Sequence, residues 1–147
     1  ARRRSGFVEA LGMRGMSVDP SLMASGEMNE TLGHSTARSM LALAEPPTAF
    51  LVSSIMVAMG VRRALDDLGL AIRRDVSVIA HDDVLSYLDN GNALPVYTAT
   101  RSSVRAAGRR CAEMVLDIIA NPNAPPVTEL WEAELTIGQS TGRAPNP

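Results

Sequence analysis

The sequence contains no lysine, one cysteine, two histidines and no apolar run long enough to span a bilayer, and each scarcity removes a class of protein. Cys111 has no partner for an internal disulfide, which fits a reducing, cytoplasmic setting. Nothing approaches the roughly 18 consecutive apolar residues of a membrane helix. The charged opening ARRRSGF has no apolar segment and cleavage site behind it, so neither membrane insertion nor secretion is expected. Against 14 basic residues, all arginine, stand 16 acidic ones, and the net charge of -2 argues against a surface given over to nucleic-acid phosphates. A transition-metal site needs three or four ligands at workable spacing. With two histidines, of which His34 lies in a helical pattern without a ligand-like partner, no metal is expected. No G-x-S-x-G elbow is present, and GMRGM and GVRR lack the glycine spacing and the lysine of a phosphate-binding loop. Neither catalysis nor a cofactor is therefore expected.

What the chain does contain is patterned apolar sequence: 46% of its 147 residues are hydrophobic, enough for one domain with a core. Residues 4–16 carry Phe7, Val8 and Leu11 at helical spacing, weakened toward the end by Gly12 and Gly15. Leu22 to Ala24 reads as a short strand. Asn29 reads as the N-cap of a helix whose apolar face is Leu32, Ala37, Met40, Leu41 and Ala44, stopped by Pro46 and Pro47. TAFLVSS, residues 48–54, is a continuous apolar run of the kind expected for a strand covered on both faces. Ser54 caps a helix with Met56, Met59, Ala64, Leu65 and Leu68 turned inward. The strand DVSVIA follows, then a turn of helix around Leu85 and Leu88, the DNGN loop and the strand VYTAT. Ser102 or Ser103 opens a long helix striped by Val104, Ala107, Cys111, Met114, Val115 and Ile118, on which Cys111 reads as a small buried hydrophobe. NPNAPP ends it, and Trp131, Ala133, Leu135 and Ile137 alternate with polar residues in a half-exposed edge strand. The chain opens directly in a helical pattern without methionine, so residues preceding Ala1 are expected.

Strands alternating with helices over short connections give a parallel sheet flanked by helices, whose ligands sit outside the carboxyl ends of the strands. Ser53 and Ser54 end one strand there; His81, Asp82 and Asp83 end the next. A carboxylate in that position either caps the following segment or accepts hydrogen bonds from a ligand. Asp83 suits the cap, and Asp82, nearer the sheet, suits the cleft.

Four segments then carry a family resemblance. RRSGFVEAL, PTAFLVSSIMVAMGVRRAL, RRDVSVIAHDD and AELTIGQSTG resemble, in order and at about the right spacing, segments of LacI/GalR-type transcriptional regulators. The resemblance implies an α/β effector domain of the periplasmic-binding-protein-like type I fold, with two similar subdomains and a ligand between them, following an N-terminal helix-turn-helix domain. It implies that residues 1–100 and 133–147 form the C-terminal subdomain and that residues 101–132 are a crossover arm belonging to the N-terminal subdomain. The DNA-binding domain and most of the N-terminal subdomain would then lie outside this chain. Carried over residue by residue, Arg3 and Asp82 match effector-binding positions, Ser54 and Ser102 face the cleft, and Met28 replaces a stacking aromatic. Ile55 stands where the family has Asp, and Ala80 and His81 where it has Gly and an aromatic.

The function this implies is that of the effector-sensing, dimerising region of a cytoplasmic regulator, with a small polar ligand, a saccharide, in the cleft. Operator DNA would be reached only through the helix-turn-helix domain, and the homodimer would form through the helix after Ser54 and the segment Leu85 to Leu88. The alternative is a solute-binding protein of a sugar transport system; the D-V-S-V-I and S-T-G segments favour the regulator. On this reading Asp82→Ala costs about ten- to a hundredfold in effector affinity with little change in fold.

Overall fold

Three side-chain caps set the principal helices. Asn29 Oδ1 accepts from the Leu32 N–H at 2.9 Å, Ser54 Oγ from Val57 N–H at 3.3 Å and Ser103 Oγ from Ala106 N–H at 3.1 Å. The computed structural model describes residues 2–144 apart from 86 and 92, with Arg2 described as backbone only. In chain order these residues form α1 (Arg2–Gly12), a 3-10 turn (Pro20–Leu22), α2 (Glu30–Leu41), β1 (Ala49–Leu51), α3 (Ile55–Asp67), β2 (Ser77–Asp82), β3 (Thr98–Arg101), α4 (Val104–Ala120) and β4 (Glu134–Thr136). The sheet order is β1-β2-β3-β4, with β1, β2 and β3 parallel and β4 antiparallel at the edge.

Period-two alternation along β2 decides which side chains enter the core. Val78 and Ala80 are buried with Phe50 of β1 and Ala99 of β3, and Ala58, Val61, Ala64 and Leu65 of α3 complete the cluster with Ala37 and Met40 of α2. On the opposite face of the sheet, Ala49 and Leu51 are exposed and Ser77, Ile79 and His81 half-buried. α2 and α3 approach each other at two glycines. A Cβ on Gly33 would stand 2.1 Å from the Val57 carbonyl oxygen, and one on Gly60 2.0 Å from that of Glu30.

The closing QSTG segment works as a staple. The buried Ser140 hydroxyl donates to the Val78 carbonyl and accepts from the Thr98 N–H at 2.9 Å, while Val78 N–H donates to the Ser140 carbonyl at 2.8 Å. Ser140 therefore joins β2 to the start of β3. Ser140→Ala strands a buried N–H and a buried carbonyl, and a loss of about 1–3 kcal/mol is expected in denaturant unfolding. A cost below 0.5 kcal/mol would show the staple to be dispensable.

Several sequence expectations are corrected. Leu22 to Ala24 is not a strand: Asp19 accepts from both the N–H and the hydroxyl of Ser21 and, with Pro20 next, winds the chain into the 3-10 turn. β1 has only three residues and is covered on one face, with Leu51 exposed. In α3, Met56, Met59 and Leu68 face outward, because the close α2 crossing selects the small residues Ala58, Gly60 and Ala64 for the inner face. Between Leu85 and Leu88 the described residues show a single turn, closed by Leu88 N–H to the Leu85 carbonyl; Ser86 lies outside the described residues. Asn90 of the DNGN loop is buried and bonds both the N–H and the carbonyl of Tyr97, whereas Asn92 lies outside the described residues. Cys111 is exposed, as is most of the α4 stripe, and α4 buries no residue at all.

Candidate functional site

β2 and β3 run parallel, so their carboxyl ends lie side by side, and the register pairs His81 with Thr100 and Asp82 with Arg101. His81 and Thr100 share the face opposite the core. There His81 Nδ1 lies 2.8 Å from Thr100 Oγ1, and Nε2 lies 3.0 Å from Ser102 Oγ and 3.2 Å from Asp83 Oδ1. Arg3 reaches the same place from α1. Its Nη1 donates to the Ser53 carbonyl at 2.8 Å and its Nη2 stands 3.7 Å from Asp83 Oδ1. Four separate segments, α1, the end of β1, the end of β2 and the exit from β3, thus converge on one polar cluster.

Asp82 sits on the other side of the strand. Its side chain is 7% exposed; Oδ1 accepts from Val84 N–H at 2.8 Å and Oδ2 lies 3.6 Å from Arg101 Nε. Val84 has φ 53°, a left-handed conformation that a β-branched residue adopts only under constraint, at a cost of about 1–3 kcal/mol. The Asp82 carboxylate holds that strained turn. Asp82 thus bonds the Val84 backbone N–H, while Asp83 meets Arg3 and His81. The signal was present in the alternation: with Val76, Val78 and Ala80 in the core, Asp82 follows them inward and Asp83 shares a side with His81.

Of the other residues singled out from the sequence, Arg3 and Ser102 join the cluster. Ser54 is buried and occupied as the α3 cap beside Ser53. Met28 is exposed next to the α2 cap, and the interactions that tie the cluster do not include it. His81, Asp83 and Thr100 are the additions made by the structure.

Burial lowers the His81 pKa below its usual value, and the Arg3 charge lowers it further, against the opposing pull of Asp83 and Asp82. The shift favours the neutral ring. Ser102, His81 and Asp83 do not form a nucleophilic triad, because the carboxylate and the hydroxyl approach the same ring nitrogen and no relay across the imidazole is possible. The arrangement offers hydrogen-bond donors and acceptors rather than an activated nucleophile.

A mostly parallel sheet flanked by helices, with a polar cluster at its carboxyl ends, fits the periplasmic-binding-protein-like class. A family described as "periplasmic binding protein-like domain" matches residues 1–141, and the chain belongs to it. It is homologous to LacI-family regulators. The HTH-type transcriptional regulator AglR of Rhizobium meliloti (strain 1021) is 44% identical over 145 residues, 99% of this chain and 41% of that protein. The HTH-type transcriptional repressor CytR of Escherichia coli (strain K12) is 29% identical, over 97% of this chain and 41% of that protein. A solved complex of the transcriptional regulator CelR with cellobiose matches with a TM-score of 0.81 at 26% identity, covering 94% of this chain and 41% of that one. The chain spans about two fifths of the length of these relatives.

Proposed function

We propose that this chain is the effector-sensing and dimerising region of a LacI-type transcriptional regulator, and that the cluster around Asp83 binds an uncharged polar effector, a saccharide. The observation that carries this reading is the pairing of charges at the site. Arg3 faces Asp83, and the remaining groups of the cluster are an imidazole and two hydroxyls. A site so compensated suits a neutral polyol, whose hydroxyls both donate and accept, better than a phosphate or carboxylate, which asks for unpaired positive charge. The relative solved with cellobiose lends support.

In this reading residues 101–132 are the arm that packs on an N-terminal subdomain, the homodimer forms through α3 and the segment from Leu85 to Leu88, and operator DNA is bound through a domain outside this chain. The outward Met56 and Met59 on α3 fit such an interface. A cytoplasmic location follows from the regulatory role; among the described residues no helix is long and apolar enough to cross a membrane.

A thermal-shift screen of the intact regulator against neutral saccharides, followed by calorimetry on two variants, tests the site. Asp83→Ala is expected to weaken binding about ten- to a hundredfold, through the loss of a charged hydrogen-bonding group. Asp82→Ala is expected to destabilise the fold by about 1–3 kcal/mol because Val84 N–H loses its acceptor. The inverse pattern, with affinity lost only at Asp82, would return the binding role to that residue.

A further inference from the structure

We infer that His81 is a positioning residue of this site: in its Nε2–H form it holds Asp83 and Ser102 in place for an uncharged polyol, and its protonation weakens effector binding. The inference rests on the effector-binding reading and adds to it a residue and a pH dependence.

The tautomer follows from the partners. An ionised carboxylate repels a nitrogen lone pair, so the ring nitrogen 3.2 Å from Asp83 Oδ1 carries the hydrogen, which is directed to the Ser102 hydroxyl at 3.0 Å with Asp83 beside it as an ion-pair neighbour. Nδ1 is then the acceptor and receives the Thr100 hydroxyl at 2.8 Å. A ring only 11% exposed thereby links the end of β2 to β3 and to Ser102, which leads into α4. Ser102 is fixed from a second side by its own N–H, which donates to the Asp82 carbonyl at 3.0 Å. Asp83 Oδ1 is shared between the His81 ring and the Arg3 guanidinium.

Protonation changes this in two ways. Nδ1 becomes a donor, so the Thr100 hydroxyl must turn from donating to accepting and its own hydrogen is redirected. A second positive charge also appears beside Arg3, and both compete for the same Asp83 oxygen. The charges that act on the ring are Arg3 from α1 and Asp83 beside it, with Asp82 acting from the other face of the strand. An effector that covers the cluster removes His81 further from water and so favours the neutral ring. The sign follows from linkage: a ligand that prefers the deprotonated form binds fully above the His81 pKa of the free protein and loses affinity as pH falls through it.

The test uses the intact regulator labelled with 13C-histidine and a panel of neutral mono- and disaccharides that includes cellobiose and ribose. The ring signal lost in His81→Gln identifies His81. Its shifts at pH 7.5 are expected to report the Nε2–H tautomer, with titration only below the ordinary histidine range. Affinity for the panel member giving the largest thermal shift is expected to fall as pH is lowered from 7.5 to 5.5, by no more than about tenfold, and to stay level in His81→Gln. Thr100→Val, which removes the hydroxyl that must accept from the protonated Nδ1–H and puts a methyl in its place, is expected to move the onset of that fall to lower pH, and it serves if His81→Gln does not fold. An Nδ1–H tautomer, a ring charged at pH 7.5, or binding with the same pH profile in wild type and variants overturns the inference and leaves the effector-binding reading standing. A panel without a binder overturns both.

Discussion

Gly60→Ala is expected to lower the unfolding free energy of the intact protein by about 3 kcal/mol or more, the upper range for forcing extra volume into a packed core. The added methyl carbon would lie 2.0 Å from the Glu30 carbonyl oxygen and 2.7 Å from His34 N. Both are backbone atoms of α2, so no rotamer change relieves the clash and the two helices must separate. That separation opens the contact among Ala37, Val61 and Ala64, all buried to within 2%. Gly6, exposed in α1 with open space around its Cβ position, is the control. Gly6→Ala is expected to stabilise by about 0.5–1 kcal/mol through helix propensity alone. Chemical denaturation of both variants decides the matter, and a loss below 1 kcal/mol at Gly60 would mean that the crossing is looser than its geometry.

The second large effect concerns α4. Val104, Val115, Leu116, Ile118 and Ile119 are 50–68% exposed, and no residue of the helix is buried. At roughly 1.5–3 kcal/mol for each large apolar side chain left in water, the unrealised burial approaches the 5–15 kcal/mol that stabilises a typical domain. Contacts within the arm do not compensate. Arg110 bonds Glu129 and Glu113, and Trp131 Nε1–H donates to Glu129 Oε2, which folds residues 121–131 back toward α4 but covers little of its apolar face. A protein confined to these 147 residues is therefore expected to be cut rapidly by trypsin at Arg105, Arg109 or Arg110, or to associate in light scattering. In the intact protein the same sites are expected to be protected. A compact, trypsin-resistant monomer with α4 docked on its own sheet would refute the assignment of residues 101–132 to another subdomain.

How much of this was legible beforehand differs from element to element. Local chemistry was readable. Asn29, Ser54 and Ser103 cap helices because their side chains reach an N–H two or three residues on, a relation contained in the sequence itself. The apolar run DVSVIA announced β2, and the coincidence of four motifs announced the family. The inner faces were less legible, because methionine at helical spacing looks like core until one knows that α2 passes too close to α3 for it to fit. Cys111 and the α4 stripe looked buried for the opposite reason: their periodicity is that of a packed helix, whereas the described residues leave that face uncovered.

The candidate site divides along the same line. By itself the sequence determined that polar residues gather where β1, β2 and β3 end, since a parallel sheet delivers its strand ends to one edge. Which of those residues meet was decided only by tertiary structure. The β2–β3 register sets His81 beside Thr100, the entry of α1 brings Arg3 to Asp83 across some eighty residues of chain, and the strained turn at Val84 claims Asp82 for the backbone. Such meetings depend on distances between segments remote in the chain, and no periodicity within a single segment encodes them.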